Sequence, residues 1–254
     1  MSEIEHIRNA VRFMTVLPVR PARGEIAPDW LTRCLKYSPL VGVGIGVVAS
    51  AVLLIATELW SEAIAAMLAV ATTIALTGAL HEDGFSDTFD GFGGGFTVEK
   101  RLAIMKDSRI GAYGALALGF NVALRIAALA ALTPWQGAAA LIAIRAAARA
   151  APAWVMTRLS YSGDVSGMKV AYAESRPRAD ELQLGLIFVL LAVLPLAFVS
   201  ALAVTFGAVL GAALAAALAL WARRLIGGYT GDVLGGIEQA FEIGFLLGIA
   251  AVLG

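Results

Sequence analysis

Ser38-Pro39-Leu40-Val41-Gly42-Val43-Gly44-Ile45-Gly46-Val47-Val48-Ala49-Ser50-Ala51-Val52-Leu53-Leu54-Ile55-Ala56-Thr57-Glu58-Leu59 carries no charged side chain before Glu58. A helix of about 20 such residues crosses a bilayer, because lipid offers the backbone no hydrogen-bond partner other than itself. Similar blocks recur at 63–80, 111–132, 137–157, 183–201, 204–222 and 237–254. The whole chain of 254 residues is 59% hydrophobic and 15% charged, whereas a soluble domain carries about 25% charge. The fold class is therefore all-α: a polytopic membrane bundle of about seven transmembrane helices. Residues 1–254 read as a single membrane domain, with the bundle over 38–254. The fifth and sixth blocks share one apolar run, which divides near Ser200–Phe206. Pro195 kinks the fifth helix or marks its end.

Charge placement tests this division. Of nineteen Lys and Arg, six precede the first block: Arg8, Arg12, Arg20, Arg23, Arg33 and Lys36. Lys100, Arg101, Lys106 and Arg109 follow the second block, Arg158, Lys169, Arg176 and Arg178 the fourth, and Arg223 and Arg224 the sixth. The other side receives none. By the positive-inside rule the N-terminus and the long segments 81–110, 158–182 and 223–236 face the cytoplasm, and the C-terminus lies outside. The expected location is the bacterial cytoplasmic (inner) membrane. A formal net charge of zero gives no reason to expect a nucleic-acid partner. Cys34 is the single cysteine, so no disulfide can form within the chain.

Residues 1–37 form an N-terminal interfacial segment. They lack a compact apolar core, and no cleavable signal is expected. Within 1–18, Ile4, Ile7, Val11 and Met14 make one helical stripe against Glu3, Arg8 and Arg12, as in an amphipathic helix anchored on the lipid bilayer surface. Pro18, Pro21, Gly24 and Pro28 break that pattern. Gly42, Gly44 and Gly46 permit close helix packing, and glycine-rich spans make a homo-oligomer conceivable.

The polar chemistry begins at His81-Glu82-Asp83-Gly84-Phe85-Ser86-Asp87-Thr88-Phe89-Asp90-Gly91-Phe92-Gly93-Gly94-Gly95. On a helix, Asp83, Asp87 and Asp90 project within about 60° of one another. Like charges on one stripe repel. A divalent cation compensates them, and hard oxygen ligands suit Mg²⁺ or Mn²⁺. The plainer reading is a solvated acidic loop. Glu82 is offset by roughly 100° and points elsewhere. Gly91, Gly93, Gly94 and Gly95 either let backbone approach a phosphorylated ligand or form a flexible turn.

Lys106, Ser108 and Arg109 follow as candidate phosphate-binding groups, or as ordinary juxtamembrane charge. Gly163, Asp164 and Gly167 mark the second polar segment. In the third, Gly227-Gly228-Tyr229-Thr230-Gly231-Asp232-Val233-Leu234-Gly235-Gly236, Asp232 can join the acidic cluster. Glu238, Glu242, Arg125, Arg145 and Arg149 sit inside spans, where mutual pairing is expected. Metal-bound carboxylates, basic groups and glycine-rich turns suggest phosphoryl or nucleotidyl transfer. An ion-coupled transporter remains an alternative, although such proteins place their ion ligands near mid-membrane.

The motifs His81-Glu82-Asp83-Gly84…Asp87…Asp90-Gly91, Ile104-Met105-Lys106-Asp107-Ser108-Arg109-Ile110-Gly111-Ala112-Tyr113-Gly114 and Thr230-Gly231-Asp232-Val233-Leu234-Gly235 closely resemble the cobalamin synthase (adenosylcobinamide-GDP ribazoletransferase) family. The resemblance runs from Phe13-Met14-Thr15-Val16-Leu17-Pro18-Val19 to Glu238–Leu247. It implies an enzyme that joins adenosylcobinamide-GDP to α-ribazole or its 5′-phosphate, releases GMP and requires Mg²⁺. It further implies that Asp83, Asp87 and Asp90 hold the metal, with Asp232 as a fourth catalytic carboxylate. His81, Lys106, Ser108, Arg109 and Arg149 would bind substrate. Many family members are apolar at position 82, so Glu82→Leu is expected to be tolerated. The Asp87-Thr88-Phe89-Asp90-Gly91 core also resembles CDP-alcohol phosphotransferases, but their following Ala-Arg pair and later DxxxD are missing.

Overall fold

The computed structural model describes residues 2–20, 30–164, 172 and 176–254. Arg23, Pro21, Gly24, Pro28, Gly167 and Lys169 lie outside the described residues. Twelve helices are present among the described ones: α1 (Glu3–Met14), α2 (Trp30–Leu35), α3 (Ser38–Thr57), α4 (Glu62–Thr77), α5 (Leu80–Gly94), α6 (Val98–Met105), α7 (Ala112–Ala130), α8 (Pro134–Ala148), α9 (Ala151–Met156), α10 (Ala179–Val199), α11 (Ala201–Ile226) and α12 (Gly231–Leu253). Six helices, with α8 and α9 taken as one, are long and apolar enough to cross a membrane; α4 passes the same test only together with α5, from which it is bent by 90°. This is the expected all-helical bundle.

The starts and stops follow local chemistry. Ser2 and Glu5 cap α1 reciprocally, the Ser2 backbone N–H donating to Glu5 Oε2 at 2.7 Å. Thr133 caps α8 with Pro134 in the first turn. The shared fifth and sixth run breaks at one extended residue, Ser200, whose hydroxyl accepts from the Ala203 N–H at 3.1 Å and so starts α11. Pro195 lies inside α10, which continues to Val199.

Between helices in lipid, packing rather than water exclusion decides affinity, and small residues let backbones approach. A side chain at Gly244 would place Cβ 2.7 Å from Gly211 Cα, and one at Gly248 would fall 2.6 Å from Gly207 Cα. The α11–α12 seam therefore needs glycine on both sides. Gly42 and Gly46 likewise admit the α8 backbone at Arg145 and Ile142, whereas Gly44 faces open space. Most of the glycines that hinted at self-association are thus used inside the chain. Gly244→Val should cost about 3 kcal/mol, and Gly44→Val almost nothing. Thermal unfolding of the detergent-solubilised variants compares them, and equal loss in both would refute the seam.

The outer faces are apolar. Leu186, Ile187, Leu190, Leu191 and Phe198 of α10 are exposed, as lipid-facing side chains should be. Exposed Trp60 and Trp135 mark one end of the bundle and Trp154 and Trp221 lie toward the other, in the manner of interfacial belts. The starts of α3, α7, α10 and α12 and the ends of α4, α9 and α11 share that second end. The described residues of all three polar segments gather there.

Candidate active site

The site is built by a sharp turn. α4 ends on Gly78 (φ 61°), and Ala79 follows with φ 59°. Two successive left-handed residues turn α5 by 90° from α4. Ala79 holds this conformation at a cost of about 1–2 kcal/mol, since its Cβ crowds the backbone. α5 thereby leaves the spanning direction and lies across the end of the bundle. Gly84 lets it rest on α12, because a Cβ there would fall 2.9 Å from Asp232 Cα. Gly235 admits His81 in the same way. These glycines bring Asp232 to the acidic helix.

Asp83 is exposed and Asp87 half-buried. Burial, and then the charges of Asp83, Asp232 and Asp90, push the Asp87 carboxyl up to about 7. Asp87 is thus the carboxyl whose ionisation its burial and these neighbours oppose. Asp90 is placed differently. Its Oδ2 accepts from the Gly111 N–H at 2.7 Å and its Oδ1 from the Gly114 N–H at 2.8 Å. It neutralises the free N–H groups at the start of α7. A Cβ on Gly111 or Gly114 would lie 2.9 or 2.8 Å from the Asp90 Cγ, which explains the spacing of glycines in that motif.

Asp83 and Asp232 open into a cavity of about 250 Å³ shared with His81, Lys106, Arg149, Asp164 and Glu238. Lys106 Nζ stands 3.5 Å from Asp164 Oδ2. Ser108 and Arg109 are exposed and outside the cavity lining. Arg109 forks onto Asp107 (2.6 Å from Nη2) and holds that carboxyl down at about 2. The glycines after Asp90 serve packing: Gly91 meets Met105, Gly93 meets Tyr113 and Gly95 meets Arg101.

Beneath the cavity runs a buried ion network. His81 Nε2 is 2.9 Å from Glu238 Oε2, and Arg149 Nη1 is 3.4 Å from Glu238 Oε1. Deeper, Arg125 reaches Glu82 at 2.8 Å and Glu242 at 3.0 Å, and Arg145 reaches Glu242 at 2.6 Å. Asn121, Gln239 and Thr73 complete the Arg125 shell. Three arginines face three glutamates, as the pairing expected for Glu238 and Glu242 requires. Glu82 does point away from the acidic cluster. Its partnership with Arg125, both side chains under 5% exposed, argues against the expectation that Leu is tolerated there. A buried guanidinium without its carboxylate is costly.

The aromatic wall was not foreseen. Tyr161 and Tyr172 stack with ring centroids 6.0 Å apart, and Tyr229 meets Tyr161 edge-on at 5.6 Å. The Tyr229 hydroxyl donates to Tyr172 O at 2.8 Å. Tyr229, directly after Gly227-Gly228 and two residues before Gly231, is the available signal. α1 also does more than anchor: Phe13 and Met14 line the cavity, and Glu3 binds Tyr37 at 2.6 Å and Lys36 at 2.9 Å.

The profile of the family described as cobalamin-5-phosphate synthase matches residues 6–250. The chain belongs to that family. The match spans every residue lining the cavity. Among cobalamin-5-phosphate synthase relatives, the adenosylcobinamide-GDP ribazoletransferase of Azorhizobium caulinodans is 42% identical over 252 residues, covering 94% of this chain and 93% of its own. That of Leptothrix cholodnii is 40% identical over 249 residues, 94% and 92% of the two chains. That of Bradyrhizobium diazoefficiens is 39% identical over 251 residues, 98% and 94%. No solved structure matches the chain.

Proposed function

We propose that this protein joins adenosylcobinamide-GDP to α-ribazole, or to its 5′-phosphate, and releases GMP, on the cytoplasmic face of a bacterial inner membrane. The observation that carries the reading is the meeting of carboxylates (Asp83, Asp232) and cations (Lys106, Arg149) in one cavity at the end of the bundle. Diphosphate substitution needs both signs: cations for the phosphate oxygens, carboxylates for a metal and for a proton.

The carboxylates fit Mg²⁺. They are hard oxygen donors, and burial together with the like charges of Asp83, Asp232 and Asp90 disfavours an ionised Asp87, a cost that a cation would offset. No three His, Cys, Asp or Glu side chains converge at ligand distance among the described residues. That suits an ion held by one or two carboxylates, with water and substrate oxygens for the rest. Asp83, Asp87 and Asp232 are the candidates from which those one or two ligands would come, with Asp90 fixing α5 against α7. When bound, Mg²⁺ would neutralise the diphosphate and stabilise the departing GMP.

The chain's own groups do the remainder. Lys106 and Arg149 orient phosphate oxygens, with Ser108 and Arg109 at the outer approach. His81, held by Glu238, directs its ring into the cavity. The ribose hydroxyl of the ribazole attacks the phosphorus nearer the cobinamide, a carboxylate of the cluster takes its proton, and the bond to the GMP oxygen breaks.

Purified protein in liposomes, given adenosylcobinamide-GDP and α-ribazole, should form GMP and joined corrinoid one-to-one with Mg²⁺, and neither with EDTA. Well-folded protein that yields no product under both conditions would defeat the reading.

A further inference from the structure

The cavity lining carries both charged and apolar side chains. His81, Asp83, Lys106, Arg149, Asp232 and Glu238 make its charged part. Phe13 and Met14 of α1, Leu31 and Leu35 of α2, Met156 of α9 and Tyr172 make an apolar part. These six residues belong to one continuous hydrophobic cluster with its partly buried neighbours. Phe13 bridges Trp30 (5.4 Å, edge-on) and Tyr172 (6.5 Å). Leu31, Met14 and Met156 are each at most 4% exposed, so whatever enters this part leaves water behind.

We propose that the apolar part receives the flat base of the ribazole, and that Met14, Leu35 and Met156 set the enzyme's preference among bases. The proposal rests on the transferase reading above. Three parts of the substrates compete for the place. The guanine edge carries amide donors and acceptors, and burying them among Phe, Leu and Met would leave them unpaired, at a cost of about 1–3 kcal/mol each. The corrin ring, fringed with amides, is too large for a cavity of about 250 Å³, below the range of about 300–1,000 Å³ usual for drug-sized ligands. A dimethylated bicyclic base presents an apolar edge and two π faces. Methionine adapts to such a shape and makes favourable sulfur–aromatic contacts. With the base seated there, its ribose extends toward Asp83 and Asp232 in the same cavity. The corrin then remains outside, at the mouth or over the membrane surface.

The test is steady-state kinetics of two variants, with each substrate varied in turn, and calorimetric titration of α-ribazole into the corrinoid-free protein. Met156→Trp, which fills the apolar part, should raise the KM for α-ribazole at least tenfold and weaken its direct binding equally. The KM for adenosylcobinamide-GDP should be unchanged. Met14→Ala enlarges the space and should narrow, by about tenfold, the discrimination between α-ribazole and the riboside of unmethylated benzimidazole. If Met156→Trp does not fold, Met14→Ala carries the decision alone. An unchanged ribazole KM and unchanged discrimination, or a change confined to the adenosylcobinamide-GDP KM, overturns the assignment. Absence of product from the wild type would instead bring down the transferase reading, and this proposal with it.

Discussion

Asp87→Asn should lower turnover by about 10³-fold or more, a loss of roughly 4 kcal/mol of transition-state stabilisation. Asp87 carries the carboxyl most opposed by its neighbours, pushed up to about 7 by burial and by Asp83, Asp232 and Asp90. That repulsion is the reason to expect a cation. It also separates a working carboxylate from a structural one. Removing a negative charge from a crowded cluster relieves it, so the metal-free variant should unfold no earlier than the wild type. What it should lose is the rise in unfolding temperature on adding Mg²⁺. Thermal scans with and without Mg²⁺, beside the turnover assay, read both effects. Near-normal turnover at saturating Mg²⁺ would remove Asp87 from the site.

The second large effect lies below the cavity. Glu82→Leu should destabilise the folded protein by about 3 kcal/mol, because it takes from a buried guanidinium one of its two carboxylates and leaves it Glu242 alone. Arg125 touches Glu82 at 2.8 Å and is 1% exposed. Pairing the change with Arg125→Met should recover part of the loss: it removes the under-compensated cation, while Glu242 keeps Arg145. Unfolding of the single and double variants in detergent decides the matter. A single variant as stable as the wild type would mean that the pair contributes nothing to folding.

The spans were legible because lipid imposes one rule on all of them, and block lengths and charge alternation follow from it. The intramembrane arginines and glutamates were legible as partners for the same reason: each is intolerable alone. The turn that creates the site was not. Ala79 adopts a left-handed conformation that its residue type disfavours, so nothing local announces a 90° bend after α4. Helical arithmetic put Asp83, Asp87 and Asp90 on one stripe, but it could not see what each would meet. Asp90 meets backbone N–H groups 21 and 24 residues away, and Asp232 arrives from the far end of the chain because Gly84 leaves room. Amphipathicity identified α1 as a helix, yet not Phe13 and Met14 as cavity wall, since an apolar stripe reads alike whether it faces lipid or protein.

The buried ion network also constrains how the chain is made. Arg145 leaves the ribosome 97 residues ahead of Glu242, about 5–20 s at ordinary rates of synthesis. For that interval α8, the least hydropathic of the six spanning candidates, holds a cation whose carboxylate does not yet exist. Only once α12 is made can Arg145 and Arg149 meet Glu242 and Glu238, so α12 joins helices laid down well before it.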